Sequence, residues 1–231
     1  MEYAIIMASG LGSRMRPLTL TTPKPLIPVH GKPMVETVIE GLLRRNVAEI
    51  KVVVGYLAER FSYLPEKYPN VHLVSNPDYA VVNNISSVYA ARDTLEKGDC
   101  FICEADLFVA DPAIFDARLD RSCYYGKLVP GPSDDWVFDL DEAKRITRVG
   151  KVGCDRYNMV GVAYFQAKDA HILADAIERA YGVPGYEALF WDDVVNRNLD
   201  RLCLTVHPVL PGQIVEIDTV AELDAVNGGK L

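Results

Sequence analysis

Short continuous apolar runs alternate along the chain with stretches in which apolar residues recur every three or four positions. Ala4–Met7 and Ile50–Val54 are runs of the first kind and read as strands buried on both faces. Between them, Met34, Val35, Val38, Ile39, Leu42 and Leu43 mark one face of a helix, opened by Gly31-Lys32-Pro33 and closed by Arg44-Arg45-Asn46. Strand, helix and strand in this order predict a right-handed crossover and a parallel sheet. A short helix is expected around Ala58–Leu64, a strand at Val71–Ser75, a helix from about Ile85 to Glu96, and a fourth strand at Cys100–Glu104. Pro112–Asp120 reads as a helical turn or two, Ser122–Val129 as a strand, and Pro130-Gly131-Pro132-Ser133-Asp134-Asp135 as a loop. Lys144–Val149 alternates like an edge strand, and Met159–Gln166 is β-branched and apolar enough for a central one. Helices are expected over Lys168–Tyr181 and within Gly185–Asn198, with Trp191-Asp192-Asp193 in the middle of the second. Strands at Leu202–His207 and Gln213–Ile217 and a last helix from Thr219 complete the chain. No repeat, linker or low-complexity segment interrupts it. The expectation is one α/β domain over residues 1–231, a mixed, mostly parallel sheet with helices on both faces.

Composition narrows the class. With 49% hydrophobic and 24% charged residues the chain has material for a core and is not a disordered polymer. A net charge of −8 disfavours nucleic acid as a partner, since such binding runs on basic surface. No window approaches a membrane span, so no membrane insertion is expected. The N-terminus lacks the basic start of a signal peptide. The five cysteines are scattered, and Cys100 and Cys103 fall in an apolar strand-like run that reads as buried thiols; a cytoplasmic location fits.

The chemistry concentrates at Ile5–Leu26, IIMASGLGSRMRPLTLTTPKPL. Gly10 and Gly12 permit a tight turn whose backbone N–H groups point at an anion, and Arg14, Arg16 and Lys24 add positive charge beside it. Strand, glycine loop and basic cluster together make a polyphosphate site. The loop is not a Walker loop, because no G-K-[ST] closes it. It is a poor dinucleotide fingerprint, because Met15 and Pro17 stand where a glycine and a continuing helix belong.

The pattern A-S-G-L-G-S-R-M-R-P followed by T-P-K-P-L resembles the signature of nucleotidyltransferases that join an NTP to a phosphorylated small molecule and release pyrophosphate. Three more stretches extend the likeness over the chain: Asn76-Pro77-Asp78-Tyr79 through Asn83-Asn84-Ile85-Ser86-Ser87, Phe190-Trp191-Asp192-Asp193, and Val215-Glu216-Ile217-Asp218-Thr219. In this form it is similar to the bacterial CTP:phosphocholine cytidylyltransferases. The resemblance implies a Rossmann-like nucleotidyltransferase fold. It also implies CTP and a phosphorylated amino-alcohol, phosphocholine, as substrates, with Mg²⁺ as cofactor and a monomer or small homo-oligomer. It places Ala8, Gly10, Gly12 and Ser13 on the nucleotide phosphates, Arg14 and Lys24 in catalysis, and Ser87 near the base. Asn83 and Asn84 read either as caps of the next helix or as ligands of nucleotide and acceptor.

Attack by a phosphate needs no general base, since its second pKa is about 6. This fits a chain with four histidines and no triad-like setting, where they read as surface or packing residues. Asp106 and Asp218 each stand just beyond a strand and either cap the next segment or hold the metal; the resemblance supports the metal, with Glu216 a weaker candidate. A quaternary ammonium offers no N–H and needs aromatic faces and a carboxylate. Trp136 and Asp192 are the expected choline contacts, with Phe190 and Trp191 as support. Lys151 is a candidate for the acceptor phosphate. The E-K-P segment of sugar-1-phosphate enzymes is missing, which disfavours a sugar acceptor. Three alternatives stay open: an enzyme that activates 2-aminoethylphosphonate with CTP, a sugar-1-phosphate nucleotidyltransferase, and a non-catalytic regulatory copy of the fold.

Overall fold

The computed structural model describes residues 1–229. In chain order the strands are β1 (Glu2–Ala8), β2 (Pro28–Val29), β3 (Lys32–Pro33), β4 (Glu49–Val54), β5 (Val71–Ser75), β6 (Asp99–Glu104), β7 (Leu107–Val109), β8 (Cys123–Leu140), β9 (Ile146–Phe165), β10 (Thr205–Pro208) and β11 (Ile214–Glu216). The α-helices are α1 (Met34–Arg44), α2 (Leu64–Lys67), α3 (Ile85–Ala90), α4 (Ala167–Ala180), α5 (Trp191–Asn196) and α6 (Val220–Asn227). Seven strands form the main sheet in the order β10-β8-β9-β6-β1-β4-β5. β6, β1, β4 and β5 run parallel, while β9 is antiparallel to both β6 and β8. The continuous apolar runs recognised in the sequence are those of this parallel half, where both faces are covered. α1 and α2 pack on one face through Val35, Val38, Ile39 and Leu64, and α3, α4 and α5 pack on the other through Val88, Leu173, Ile177 and Val195. Cys100 and Cys103 are buried thiols, as expected.

Several boundaries differ from the pattern-based expectation. The helix expected over Ile85–Glu96 breaks at Ala91 into α3 and a 3-10 turn, Arg92–Glu96. The helix around Trp191 is shorter than expected, and Trp191 begins it instead of lying in its middle. The expected loop at residues 130–135 is part of β8, and the two strands expected at Lys144–Val149 and Met159–Gln166 are one strand, β9. Prolines are compatible with this ribbon because its pairing is interrupted by register shifts between Val129 and Pro132 and between Ser133 and Trp136. Those shifts leave Asn158 on β9 opposite Lys127 on one side and Val137 on the other, and Trp136 opposite Lys151.

Candidate active site

The parallel strands end at Ala8, Val54 and Glu104 on one edge of the sheet, the side on which open α/β sheets receive ligands. A cavity of about 400 Å³ opens there, lined by Ala8, Gly10, Gly12, Ser13, Arg14, Lys24, Asn83, Asn84, Ser87, Asp106 and Asp218 among others. The residues expected to meet the nucleotide and the metal are therefore brought together; Glu216 lines a neighbouring cavity, but its carboxylate comes within 4.8 Å of that of Asp106. Arg16 of the basic cluster is exposed and lies outside the lining.

The glycine loop has a tight backbone. Gly12 sits at φ 59°, and a Cβ there would approach Lys24 Cβ to 2.8 Å and Thr19 Cγ2 to 3.0 Å. Its carbonyl accepts from Thr19 Oγ1 at 2.9 Å. This close contact is what brings Lys24 back over the loop after the turns through Pro17–Pro23. A Cβ at Gly10 would meet nothing within 4 Å, so the loop's approach to the cavity is open there.

Two carboxylates converge on the lysine. Lys24 Nζ donates to Asp106 Oδ2 at 2.5 Å and to Asp218 Oδ1 at 2.6 Å, and Arg14 Nη2 donates to the same Asp218 oxygen at 2.7 Å. Burial pulls the Lys24 ammonium down, but Asp106 and Asp218 outweigh it and leave its pKa above the usual value. The backbone that positions the pair is explicit. β7 and β11 pair with Leu107 opposite Glu216, and Ile217 N–H donates to the Asp106 carbonyl at 3.2 Å. Thr219 caps α6, accepting from Glu222 N–H, and the Glu222 carboxylate accepts from the Asp218 and Thr219 amides at 2.7 and 2.8 Å. Thr219 and not Asp218 is thus the cap, so the Asp218 carboxylate is directed to Lys24 and Arg14.

Further carboxylates stand behind these. Glu104, Asp106 and Glu216 offer oxygens within 4.8 Å of one another. Burial raises the Glu104 carboxyl well above its ordinary range, and the negative charge of Asp106 and Glu216 adds to that. Gly161, at φ 74°, makes room for it, since a Cβ there would come within 2.7 Å of Glu104 Oε2. The Glu216 carboxyl is open to the cavity yet crowded by protein, and this desolvation with the charges of Asp106 and Asp218 pushes it up to about 8. An all-oxygen donor set of this kind, next to a second carboxylate at Asp218, fits a hard divalent cation such as Mg²⁺. Asp106 belongs both to this group and to the lysine bridge.

The cavity has a buried polar floor. Ser9 Oγ and Ser87 Oγ lie 2.8 Å apart, and Asn76 Nδ2 donates to Ser9 Oγ at 3.1 Å and Ser86 Oγ at 2.9 Å. Asn76 and Ser9 fall inside the motifs that carry the family likeness, but the sequence assigns neither of them a role. Neither Asn83 nor Asn84 caps α3 through its side chain. Asn83 Oδ1 accepts from the amide of Asn84, and Asn84 Oδ1 accepts from the Trp191 amide at 3.0 Å, tying the start of α5 to the cavity wall.

A second cavity, about 760 Å³, adjoins the first across Asp218 and is lined by Lys127, Asp135, Asn158 and Glu216 among others. Asn158 is 5% exposed; its Nδ2 donates to Ser133 Oγ and Asp135 Oδ2, and its Oδ1 has no partner among the described residues. Glu104, Asp135 and Asn158 escaped the sequence reading because only the register of β8 and β9 brings the last two to Glu216.

The expected choline cage is corrected in part. Trp136 and Phe190 do meet, ring centroids 5.3 Å apart and edge to face. Trp191 is 3% exposed and packs against Tyr124 and Phe165, and Asp192 is 2% exposed and accepts from Tyr124 Oη at 3.0 Å. Starting α5 at Trp191 turns both side chains into the core, so neither reaches an acceptor.

Burial raises the Asp192 carboxyl to about 7, against the hydrogen bond from Tyr124 that lowers it. The folded protein keeps this proton where the unfolded chain, near 3.8, has lost it. The stabilisation is complete below the unfolded value and is lost as pH rises to the folded one. Asp192→Asn keeps an oxygen for Tyr124 and does not titrate. Its stability relative to the wild type is expected to improve by about 2 kcal/mol between pH 5 and pH 8. Denaturant midpoints at the two pH values measure this, and a pH-independent difference would show that Asp192 ionises normally.

Comparison with known proteins accords with this geometry. The MobA-like NTP transferase domain matches residues 4–188. A 2-aminoethylphosphonate cytidylyltransferase of Lancefieldella rimae is 57% identical over 226 residues, covering 98% of this chain and 92% of the relative. A choline-phosphate cytidylyltransferase of Streptococcus pneumoniae is 32% identical over 225 residues, covering 95% of this chain and 94% of the relative. The solved structure of CTP:phosphocholine cytidylyltransferase from the same organism superposes with a TM-score of 0.90 at 32% identity, covering 98% of both chains. Among the described residues no helix is long and apolar enough to cross a membrane. The glycine loop, the Lys24 bridge and the match over most of the chain agree: the protein belongs to the MobA-like NTP transferase family.

Proposed function

We propose that the protein is a cytidylyltransferase that moves CMP from CTP to 2-aminoethylphosphonate and releases pyrophosphate. The observation that carries nucleotidyl transfer is the ammonium of Lys24 held between Asp106 and Asp218 at the mouth of the glycine loop. A phosphonate oxygen forms the new bond to the α-phosphorus, and the bond from that phosphorus to the bridging oxygen breaks, the electron pair leaving with pyrophosphate. Loop amides and Ser13 bind the phosphates, while Lys24 and Arg14 are placed to counter the charge gathering on them. The polar floor of Ser9, Asn76 and Ser87 faces the nucleoside. A bound Mg²⁺, held by Asp106 and Asp218 with Glu216 nearby, would supply charge neutralisation and a template for the two anions.

The expectation of phosphocholine gives way on the acceptor. The relative named for 2-aminoethylphosphonate is 57% identical, against 32% for the one named for choline phosphate. The second cavity supports the same reading, since the Asp135 and Glu216 carboxyl groups that line it can accept hydrogen bonds that a primary ammonium donates and a quaternary one cannot. Pyrophosphate release with CTP, Mg²⁺ and a panel of acceptors tests the reading. The expected kcat/KM for 2-aminoethylphosphonate exceeds that for phosphocholine by about tenfold or more, since a site built to hydrogen-bond an N–H rejects an analogue that lacks it. The reverse preference would overturn it.

A further inference from the structure

An acceptor seated in the second cavity brings an anion into acidic surroundings. Among the described residues that line it, four bear carboxyl groups, Asp135, Glu216, Asp218 and Glu222, and one is a lysine or arginine, Lys127. Two of the carboxylates are matched within the protein: Asp218 accepts from Lys24 and Arg14, and Glu222 accepts from the Asp218 and Thr219 amides. Lys127 is half-buried and forms no salt bridge among the described residues. A phosphonate, like a phosphate, carries about 1.5 to 2 negative charges near neutral pH. Beside carboxylates it is repelled unless a cation faces it.

The β8–β9 ribbon holds Lys127 in place. Asn158 has Lys127 opposite it on one side and Val137 on the other, so the two halves of β8 flank it. Asn158 Nδ2 donates to Ser133 Oγ at 2.6 Å and to Asp135 Oδ2 at 3.3 Å, which fixes the second half against the first. The cation of Lys127 and the carboxylate of Asp135 thereby share one cavity. The anion role expected of Lys151 does not fit its position. Lys151 lines neither cavity, and its Nζ lies 4.9 Å from the Phe190 ring centroid and 5.5 Å from that of Trp136.

We propose that Lys127 is a substrate-binding residue for the anionic group of the acceptor. Its ammonium donates to the phosphonate oxygens on the side where Asp218 joins the two cavities, while Asp135 and Glu216 take the amine end. The proposal rests on the second cavity being the acceptor site. It concerns the anion, a group that aminophosphonates and phosphocholine both present, so it is decided separately from the choice between them.

Methylphosphonate, which has no amine, is the probe. Its ³¹P resonance is titrated with protein whose nucleotide site is filled by a non-hydrolysable CTP analogue, which keeps the probe off Lys24 and Arg14. Lys127→Gln is expected to weaken methylphosphonate binding at least about tenfold, and Lys127→Arg, which keeps the charge, to stay within about threefold of the wild type. In steady-state assays the Gln variant should raise KM for 2-aminoethylphosphonate at least about tenfold, while kcat and KM for CTP change by less than about threefold. Unaltered CTP kinetics also show that the variant is folded. Unchanged methylphosphonate affinity in Lys127→Gln would overturn the proposal. Tighter acceptor binding would also overturn it and make Lys127 a charge that repels the amine. An equal rise in KM for CTP would give Lys127 to the nucleotide phosphates instead. If the wild type turns over phosphocholine and not 2-aminoethylphosphonate, the choice of acceptor fails while the methylphosphonate titration still decides the anion site.

Discussion

Replacing Lys24 by alanine is expected to lower kcat by about 10²–10³, the loss expected on removal of one preorganised charge from a developing transition state. Lys24 is suited to this because it cannot drift: its side chain is 8% exposed and its stem packs beneath Gly12. In the free protein its charge is spent on Asp106 and Asp218, and an incoming polyphosphate offers the ammonium a new anion. A divalent cation competes for the same two carboxylates. Lys24→Ala should therefore combine slower turnover with a lower half-saturating Mg²⁺ concentration, because a rival cation has been removed. A general collapse of the site would weaken metal dependence and rate together. Turnover close to that of the wild type would reduce Lys24 to a structural counter-ion.

The parts of this site that lie on local elements were readable from residues alone. β1, β4 and β6 carry the apolar runs. The glycine loop after β1 and Asp106 after β6 fall where parallel strands deliver ligands. Asp218 was legible as a residue just beyond a strand that either caps the next segment or holds a metal, and the structure gives the cap to Thr219 and leaves the Asp218 carboxylate to Lys24 and Arg14. The illegible parts depend on pairing at a distance. Pro130, Gly131 and Pro132 carry the residue types of a loop, yet the register shifts of β8 absorb them into a strand. That ribbon brings Asn158 to Asp135 and Lys151 to Trp136, and no periodicity along either strand announces such neighbours. Asp192 misled for a related reason: a carboxylate beside a tryptophan looks like half of a cation site until the start of α5 turns both inward. Glu104 was hidden as the last residue of a strand, and the glycine that accommodates it is 57 positions away, at 161 against 104.

Asp106→Asn is expected to be the most damaging single carboxylate change, ahead of Asp218→Asn and well ahead of Glu216→Gln. Asp106 alone belongs to both clusters, bridging Lys24 and lying within 4.8 Å of Glu104 and Glu216 oxygens. Glu216 is raised to about 8 by desolvation and by Asp106 and Asp218, so in the free site near neutral pH it holds a proton that a glutamine amide imitates. The asparagine still accepts from Lys24, so the fold and the lysine position should persist, and the loss is of the negative charge that a hard cation requires. Half-saturating Mg²⁺ should rise by about tenfold or more in Asp106→Asn, and kcat at saturating metal should fall by about 10²–10³. Mn²⁺ titration followed by electron paramagnetic resonance gives a second readout that needs no turnover, and affinity there should fall in the same order, Asp106→Asn before Asp218→Asn before Glu216→Gln. Chelation by EDTA should stop the wild-type reaction. A wild-type rate that survives EDTA, or an Asp106→Asn variant with unaltered metal dependence, would remove the cation from the mechanism and leave Lys24 and Arg14 to neutralise the leaving pyrophosphate alone.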